Sequence, residues 1–205
     1  MKQLGTTVAS AILWLSATTA QAALLDFDPT VACGGLACSN FAAIDQGYGD
    51  GAGVDVQWAG TTGPAEYWST GYTGLTDVVY AGGGSCSGPL LIDMVATSGS
   101  TITLNSFDIG DYLNLNRNTS WSIIDLGGGT LASSGIISMA GAVVNVAGSW
   151  TSTAGIRISL GPDAWDVGID NVDFTVSGAQ VPEPSVIALF GLGLFGFLAV
   201  RRRKV

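Results

Sequence analysis

The feature that most constrains this chain is a recurring alternation. Apolar and polar residues exchange at every second position over short stretches, and turn-forming residues separate one stretch from the next. The stretches are Leu24–Asp28, Val54–Trp58, Thr76–Ala81, Leu90–Ala96, Thr101–Ile109, Trp121–Leu126, Val143–Ala147, Ile156–Leu160 and Gly168–Val176. A period of two sends successive side chains to opposite faces, so each stretch predicts a half-buried β-strand. In Thr101–Ile109, Ile102 and Leu104 alternate, then Phe107 and Ile109 resume after a slip of one residue. That slip predicts a bulge near Asn105 and Ser106. Gly82–Gly84 and Gly127–Gly129 read as turns, the second closing a hairpin between 122–126 and 130–132. Away from the two ends, no segment sustains an apolar period of 3.6. Short strands at regular spacing, with 30 glycines in 205 residues, predict an all-β, two-sheet antiparallel β-sandwich over residues 23–181.

The ends carry a different pattern. Residues 1–22 begin with the basic Lys2, continue through an apolar run from Val8 to Leu15 and finish in Ala20-Gln21-Ala22. Small residues at −3 and −1 suit signal peptidase, so this is read as a secretory signal peptide cleaved before Ala23. At the other end, residues 182–205 open with Pro182-Glu183-Pro184. The apolar run Val186–Val200 follows and Arg201-Arg202-Arg203-Lys204 closes it. Two prolines make a stiff, extended spacer. A helix over 185–200 reaches only about 22–24 Å at ~1.5 Å per residue, shorter than the ~30 Å hydrocarbon core. The basic cluster holds its far end in the cytoplasm.

This tail resembles the PEP-CTERM sorting signal of Gram-negative bacteria. The resemblance rests on Pro182, Glu183, Pro184, the glycine-punctuated span and the stop formed by Arg201, Arg202 and Arg203. It implies an exported precursor, anchored in the membrane through its tail until an exosortase cleaves near the motif. Signal peptidase and exosortase are then the processing partners, and the cell surface or the exopolysaccharide of a biofilm matrix is the destination. Tails of this kind also occur on proteins labelled as ice-binding at the C-terminus, a label that describes the tail only.

A second resemblance touches the middle of the chain. Gly155-Ile156-Arg157-Ile158 and Val167-Gly168-Ile169-Asp170-Asn171-Val172-Asp173-Phe174 are similar to the closing strands of jelly-roll domains that precede such tails. Leu25-Asp26-Phe27-Asp28, Gly47-Tyr48-Gly49-Asp50 and Val54-Asp55-Val56 resemble their opening. Related carbohydrate-binding jelly rolls carry a structural Ca²⁺ where first and last strands meet, which here implicates Asp26, Asp28 and Asp170. In a regular strand Asp26 and Asp28 share one face, opposite Leu25 and Phe27.

Composition removes whole classes of chemistry. The chain has no histidine, and its lysines are Lys2 and Lys204, outside the middle. Ser-His-Asp, Cys-His, Schiff-base and histidine-ligated zinc chemistry are thereby excluded from the middle. Residues 23–181 hold 15 acidic and 2 basic side chains, a net charge of −13, which repels nucleic acid. Asp residues in glycine-rich turns are usually structural, so pairs such as Asp108/Asp111 and Asp163/Asp166 are weak candidates for glycosidase chemistry. No enzyme is expected. Of the three cysteines, Cys33 and Cys38 flank a short Gly34-Gly35 turn and are the preferred disulfide, with Cys38–Cys86 the alternative. Tyr67, Trp68 and Tyr72 cluster in a Gly/Thr-rich stretch and form a candidate glycan platform, since sugar rings stack on exposed aromatic faces. The expected function is a structural or adhesive surface protein associated with exopolysaccharide. A carbohydrate-binding module is the alternative, and a carboxylate-dependent glycan-processing enzyme a more distant one.

Overall fold

The computed structural model describes residues 20–60, 62–83, 88–97 and 99–178. The apolar run of the leader, Cys86, the Pro182-Glu183-Pro184 motif, the 185–200 span and the terminal arginines lie outside the described residues. Among those described there is no helix, and the strands are β1 (Gln21–Leu25), β2 (Val54–Gly60), β3 (Ala65–Trp68), β4 (Val78–Ala81), β5 (Leu90–Ala96) and β6 (Thr101–Asp111). They continue with β7 (Asn118–Asp125), β8 (Thr130–Ser133), β9 (Ile137–Ser138), β10 (Val144–Ser152), β11 (Gly155–Gly161) and β12 (Val167–Ser177). One sheet runs β10-β6-β12-β4-β3 with β1 also on β12; the other runs β2-β5-β11-β7-β8 with β9 also on β7. Every strand pairing is antiparallel. The protein is a two-sheet β-sandwich, consistent with a jelly-roll-like domain.

Alternation builds the core. Leu90, Ile92 and Met94 of β5 and Ile156, Ile158 and Leu160 of β11 face Ile102, Leu104, Phe107 and Ile109 of β6 and Phe174 of β12. All of these side chains are almost fully removed from water. Burying each is worth about 1.5–3 kcal/mol, which drives the two sheets together. The alternation slips once in β6, at Asn105, and once in β12, at Asp170–Asn171. The two slips compensate. Ile169 sits opposite Ile109 on one side of them, and Phe174 and Val176 sit opposite Leu104 and Ile102 on the other. A single uncompensated slip would turn half of one strand's apolar set toward water.

β12 is the strand on which its sheet depends. Along one edge it pairs with β6 from Val167 to Ser177. Along the other it meets β4 at Ile169, and then β1 from Val172 to Val176. The changeover between these two partners falls at the bulge, where Asn171 takes φ 51°. Asparagine tolerates this left-handed conformation better than most residues.

The first strand differs from its sequence reading. It spans 21–25 rather than 24–28, because Phe27 adopts φ 52° and turns its ring into the core. Asp26 and Asp28 therefore occupy the loop after β1 and do not share a strand face. The expected leader cleavage between Ala22 and Ala23 falls inside β1, leaving Ala23–Leu25 to pair with β12. Cys33 and Cys38 are joined by a disulfide with Cα atoms 5.4 Å apart, closing the loop that follows. A loop this short contributes about 2 kcal/mol in the chain-entropy picture.

Candidate functional site

Three concave features mark the surface. The first is an acidic pocket at the β12 changeover, about 440 Å³ in volume and lined by Asp26, Asp28, Asp77, Asp170, Asn171 and the Gly74–Thr76 backbone region. The loop after β1 and the loop before β4 bring their carboxylates to the bulge because both chains leave β12 there. Asp28 accepts from the Thr30 backbone N–H at 2.8 Å and from its hydroxyl at 2.7 Å, and these bonds hold its carboxyl below the usual range. Asp77 takes the hydroxyl of Tyr67. Asp26 receives the backbone N–H of Asp28 at 3.3 Å.

Asp170 is the unusual member. It is 5% exposed and sits opposite Asp108, which is bridged to it through the Asn171 amide at 3.0 Å. Burial pushes its carboxyl up to about 7, opposed by the Asn171 backbone N–H and reinforced by the charges of Asp108, Asp77 and Asp26. No arginine relieves this. Arg117 is paired with Asp166 at 2.9 Å and Arg157 with Asp93 at 2.6 Å. The oxygen donors suit a hard divalent cation, and the uncompensated charge favours one. Among the described residues, however, no three acidic or cysteine side chains are already grouped closely enough to hold a metal ion. Asp26, Asp28 and Asp170 thus share a pocket without forming a finished coordination shell.

The second feature is an aromatic cup of about 70 Å³ lined by Phe41, Trp68, Tyr72, Tyr80, Tyr112 and Trp165. It places two of the three residues of the expected glycan platform together. Tyr67 does not join them: adjacent strand residues point to opposite faces, so Trp68 enters the cup while Tyr67, 2% exposed, enters the core. Tyr72 is also deeply buried, with its hydroxyl donating to the Trp165 carbonyl at 2.8 Å. Phe41, Tyr80, Tyr112 and Trp165 complete the cup. They come from four separate segments: the pairings of β3 with β4 and of β6 with β12 bring in Tyr80, Tyr112 and Trp165, and the Phe41 backbone N–H bonded to the Tyr67 carbonyl brings in Phe41.

The third feature is an open groove of about 500 Å³ on the outer face of the second sheet, lined by Ser120, Ser122, Ser133, Ser159, Trp121 and Pro162 among others. Ser133, Ser122 and Ser159 lie side by side on β8, β7 and β11, giving a row of hydroxyls across three strands.

The Asp170 environment has a measurable consequence in metal-free buffer. Its folded affinity for a proton, near pH 7, exceeds the unfolded value near 3.8. The folded state therefore binds more protons between these limits, and stability falls as pH rises from about 4 to about 7. In Asp170→Asn this part of the pH dependence should vanish, leaving a flatter curve of melting midpoint against pH. An unchanged slope would show that Asp170 ionises normally.

Among curated proteins the chain has no match. Among solved structures it is similar to the GH26-CBM35 β-(1,4)-mannanase of Podospora anserina, with 17% identity, 65% of this chain and 29% of that chain covered, and a TM-score of 0.35. It is also similar to an exo-β-1,3-galactanase from Phanerochaete chrysosporium solved with galactose, with 14% identity, coverage of 80% and 30%, and a TM-score of 0.28. The chain thus spans less than a third of the length of either. Residues 180–204 match the PEP-CTERM protein-sorting motif, so the chain carries, just beyond β12, the signal of a secreted, exosortase-processed protein with a membrane-anchoring tail.

Proposed function

We propose that this protein is a non-enzymatic, adhesive or structural component of the cell surface or extracellular matrix, delivered there by exosortase and held in contact with exopolysaccharide. The observation that carries this reading is the direct continuity between β12 and the sorting motif. β12 ends at Ser177 and the motif begins at residue 180, so the central strand of a sheet leads into the sorting signal with two residues between them. Such a domain is built for display. Its carboxylates support the non-enzymatic part of the reading. Asp111 is fully buried and accepts from Thr73 and from the Asn116 N–H, Asp108 accepts from Asn145 and Asn171, and Asp166 is bound to Arg117. Three of the four acids considered for glycosidase chemistry are thus occupied in holding loops and strands.

The second reading, a carbohydrate-binding module, is favoured by the serine-lined groove. Its volume falls in the range of small-ligand sites, and a row of outward hydroxyls can hydrogen-bond a sugar, although the Trp121 ring alternates to the core side, against Phe107 and Trp150. In either reading a Ca²⁺ ion held by Asp26, Asp28 and Asp170 would relieve carboxylate repulsion and tie the loop after β1 to the β12 bulge.

Replacing Arg201–Lys204 with neutral residues should leave the precursor unprocessed and reduce surface delivery. An unchanged mature mass and unchanged release would remove the sorting step from the proposal. Exopolysaccharide should co-purify with the exported protein, and Ser159→Arg, which fills the groove from the half-buried outer face of β11, should reduce that recovery without lowering the melting midpoint. Equal recovery by the variant would exclude the groove, and no polymer with the parent would sink the adhesive reading. Calcium at a hundred-fold excess over its dissociation constant should raise the melting midpoint by about 5–10 °C over chelator. Coincident midpoints would mean no structural calcium.

A further inference from the structure

The aromatic cup has a composition that neither reading above uses. Its walls are rings alone, and those around Trp68 meet almost at right angles: Trp68 with Phe41 at 88°, with Tyr80 at 84° and with Tyr112 at 83°; Tyr80 meets Trp165 at 89°, while the buried Tyr72 stacks on Tyr80 at 29° and tilts against Tyr112 at 49°. No pair around Trp68 forms a flat shelf on which a sugar ring could lie. The hydroxyls of Tyr72 and Tyr80 are turned to internal acceptors, the Trp165 carbonyl and Glu66. These two walls therefore offer π-faces and edges rather than hydrogen-bonding groups.

The charges around the cup are acidic in balance. Glu66, the acceptor for Tyr80 at 2.5 Å, stands behind one wall, and Asp163 and Asp166 both act on Tyr72. Arg117 is the basic group here and is spent on Asp166. Glu66 is left without a positive partner among the described ion pairs, and Asp163 is in no ion pair but feels the charge of Arg117.

From this geometry we infer that the cup binds a free quaternary ammonium cation of about choline size. Ring faces carry the negative end of the aromatic quadrupole and attract a cation held against them, more strongly where water is excluded. The acidic surplus adds to that attraction. A primary ammonium or a guanidinium would have to give up hydrogen bonds to water that a wall of rings cannot replace. A quaternary ammonium has no N–H to lose, and its methyl groups gain apolar contact. Volume agrees: the void of about 70 Å³ is several times the ~10–15 Å³ that one water requires, yet small for a sugar ring with its hydroxyls. The same acidic surround would repel a phosphate carried next to the ammonium. The occupant is accordingly the free cation and not a phosphocholine headgroup in a lipid surface.

This inference does not rest on exopolysaccharide binding, and its test is separate. Choline chloride is titrated into the exported protein at constant ionic strength, followed by tryptophan fluorescence and by calorimetry. The parallel titrants are 3,3-dimethylbutan-1-ol, the uncharged isostere of choline, then galactose, and phosphatidylcholine vesicles. Choline should bind saturably, and the isostere about ten-fold more weakly, since only the charge differs. Glu66→Gln should weaken choline several-fold and leave the isostere unchanged. Trp68→Ala should abolish choline binding. Phe41→Ala, at a rim position 57% exposed, should weaken choline binding and supplies a variant whose fold is not at risk. Equal affinities for choline and the isostere would overturn the proposal, as would tighter binding of galactose, a preference for vesicles, or no saturable choline binding by the parent.

Discussion

The structure depends on how β12 shares its two edges. One edge is committed to β6 along its whole length; the other is divided between β4 near its start and β1 near its end. The changeover on one edge coincides with the Asp170–Asn171 bulge in the ladder to β6 on the other. From that one interruption follow the left-handed Asn171, the compensating slip at Asn105 in β6 and the pocket into which two loops send their carboxylates. Remove the bulge and the inward faces of β6 and β12 fall out of step. The acidic pocket is thus a by-product of the device that keeps the core in register.

Electrostatics and packing divide the surface between them. The sandwich carries a large negative charge, and its two arginines are each committed to one aspartate, Arg157 in a two-pronged contact with Asp93 across β11 and β5. Neither is free to neutralise the pocket or the cup. A single-pronged, partly exposed pair such as Arg117–Asp166 adds little stability, and the two-pronged Arg157–Asp93 more. Their consequence is instead that two acidic concavities stay without a cation from the chain itself.

The legible parts of the fold were those governed by period. Ile102, Leu104, Phe107 and Ile109 announced a strand and its slip, and Gly127–Gly129 a hairpin, because side-chain alternation and turn chemistry are local. The start of β1 was misplaced since nothing local shows that Phe27 takes a positive φ, and with it went the shared face assigned to Asp26 and Asp28. At the acidic pocket Asp26, Asp28 and Asp170 were legible from the resemblance to jelly rolls, whereas Asp77 and Asp108 depend on cross-strand neighbours. The aromatic sites were half legible. Trp68 and Tyr72 are close in sequence to Tyr67, but alternation on β3 divides adjacent rings between two faces. Tyr80, Tyr112 and Trp165 reach the same cup through pairings between distant segments, which composition and spacing do not encode.

The antiparallel pairing of β1 with β12 also decides how the domain bears force. Ala23, the first residue after the expected leader cleavage, lies beside Phe174, so the start of β1 and the end of β12 lie at the same pole, while Val167, at the opposite end of β12, lies close to Trp165 and Tyr112. Pulling the two ends apart would open β1 from β12 one hydrogen bond at a time, like a zip. A pull between the far pole and the tail runs along the axis of β12 instead. It loads the hydrogen bonds to β6 together, in shear, over a strand of about 35 Å. A partner captured at the far pole would therefore strain the molecule in its mechanically strongest direction, with the weak seam lying outside the load path.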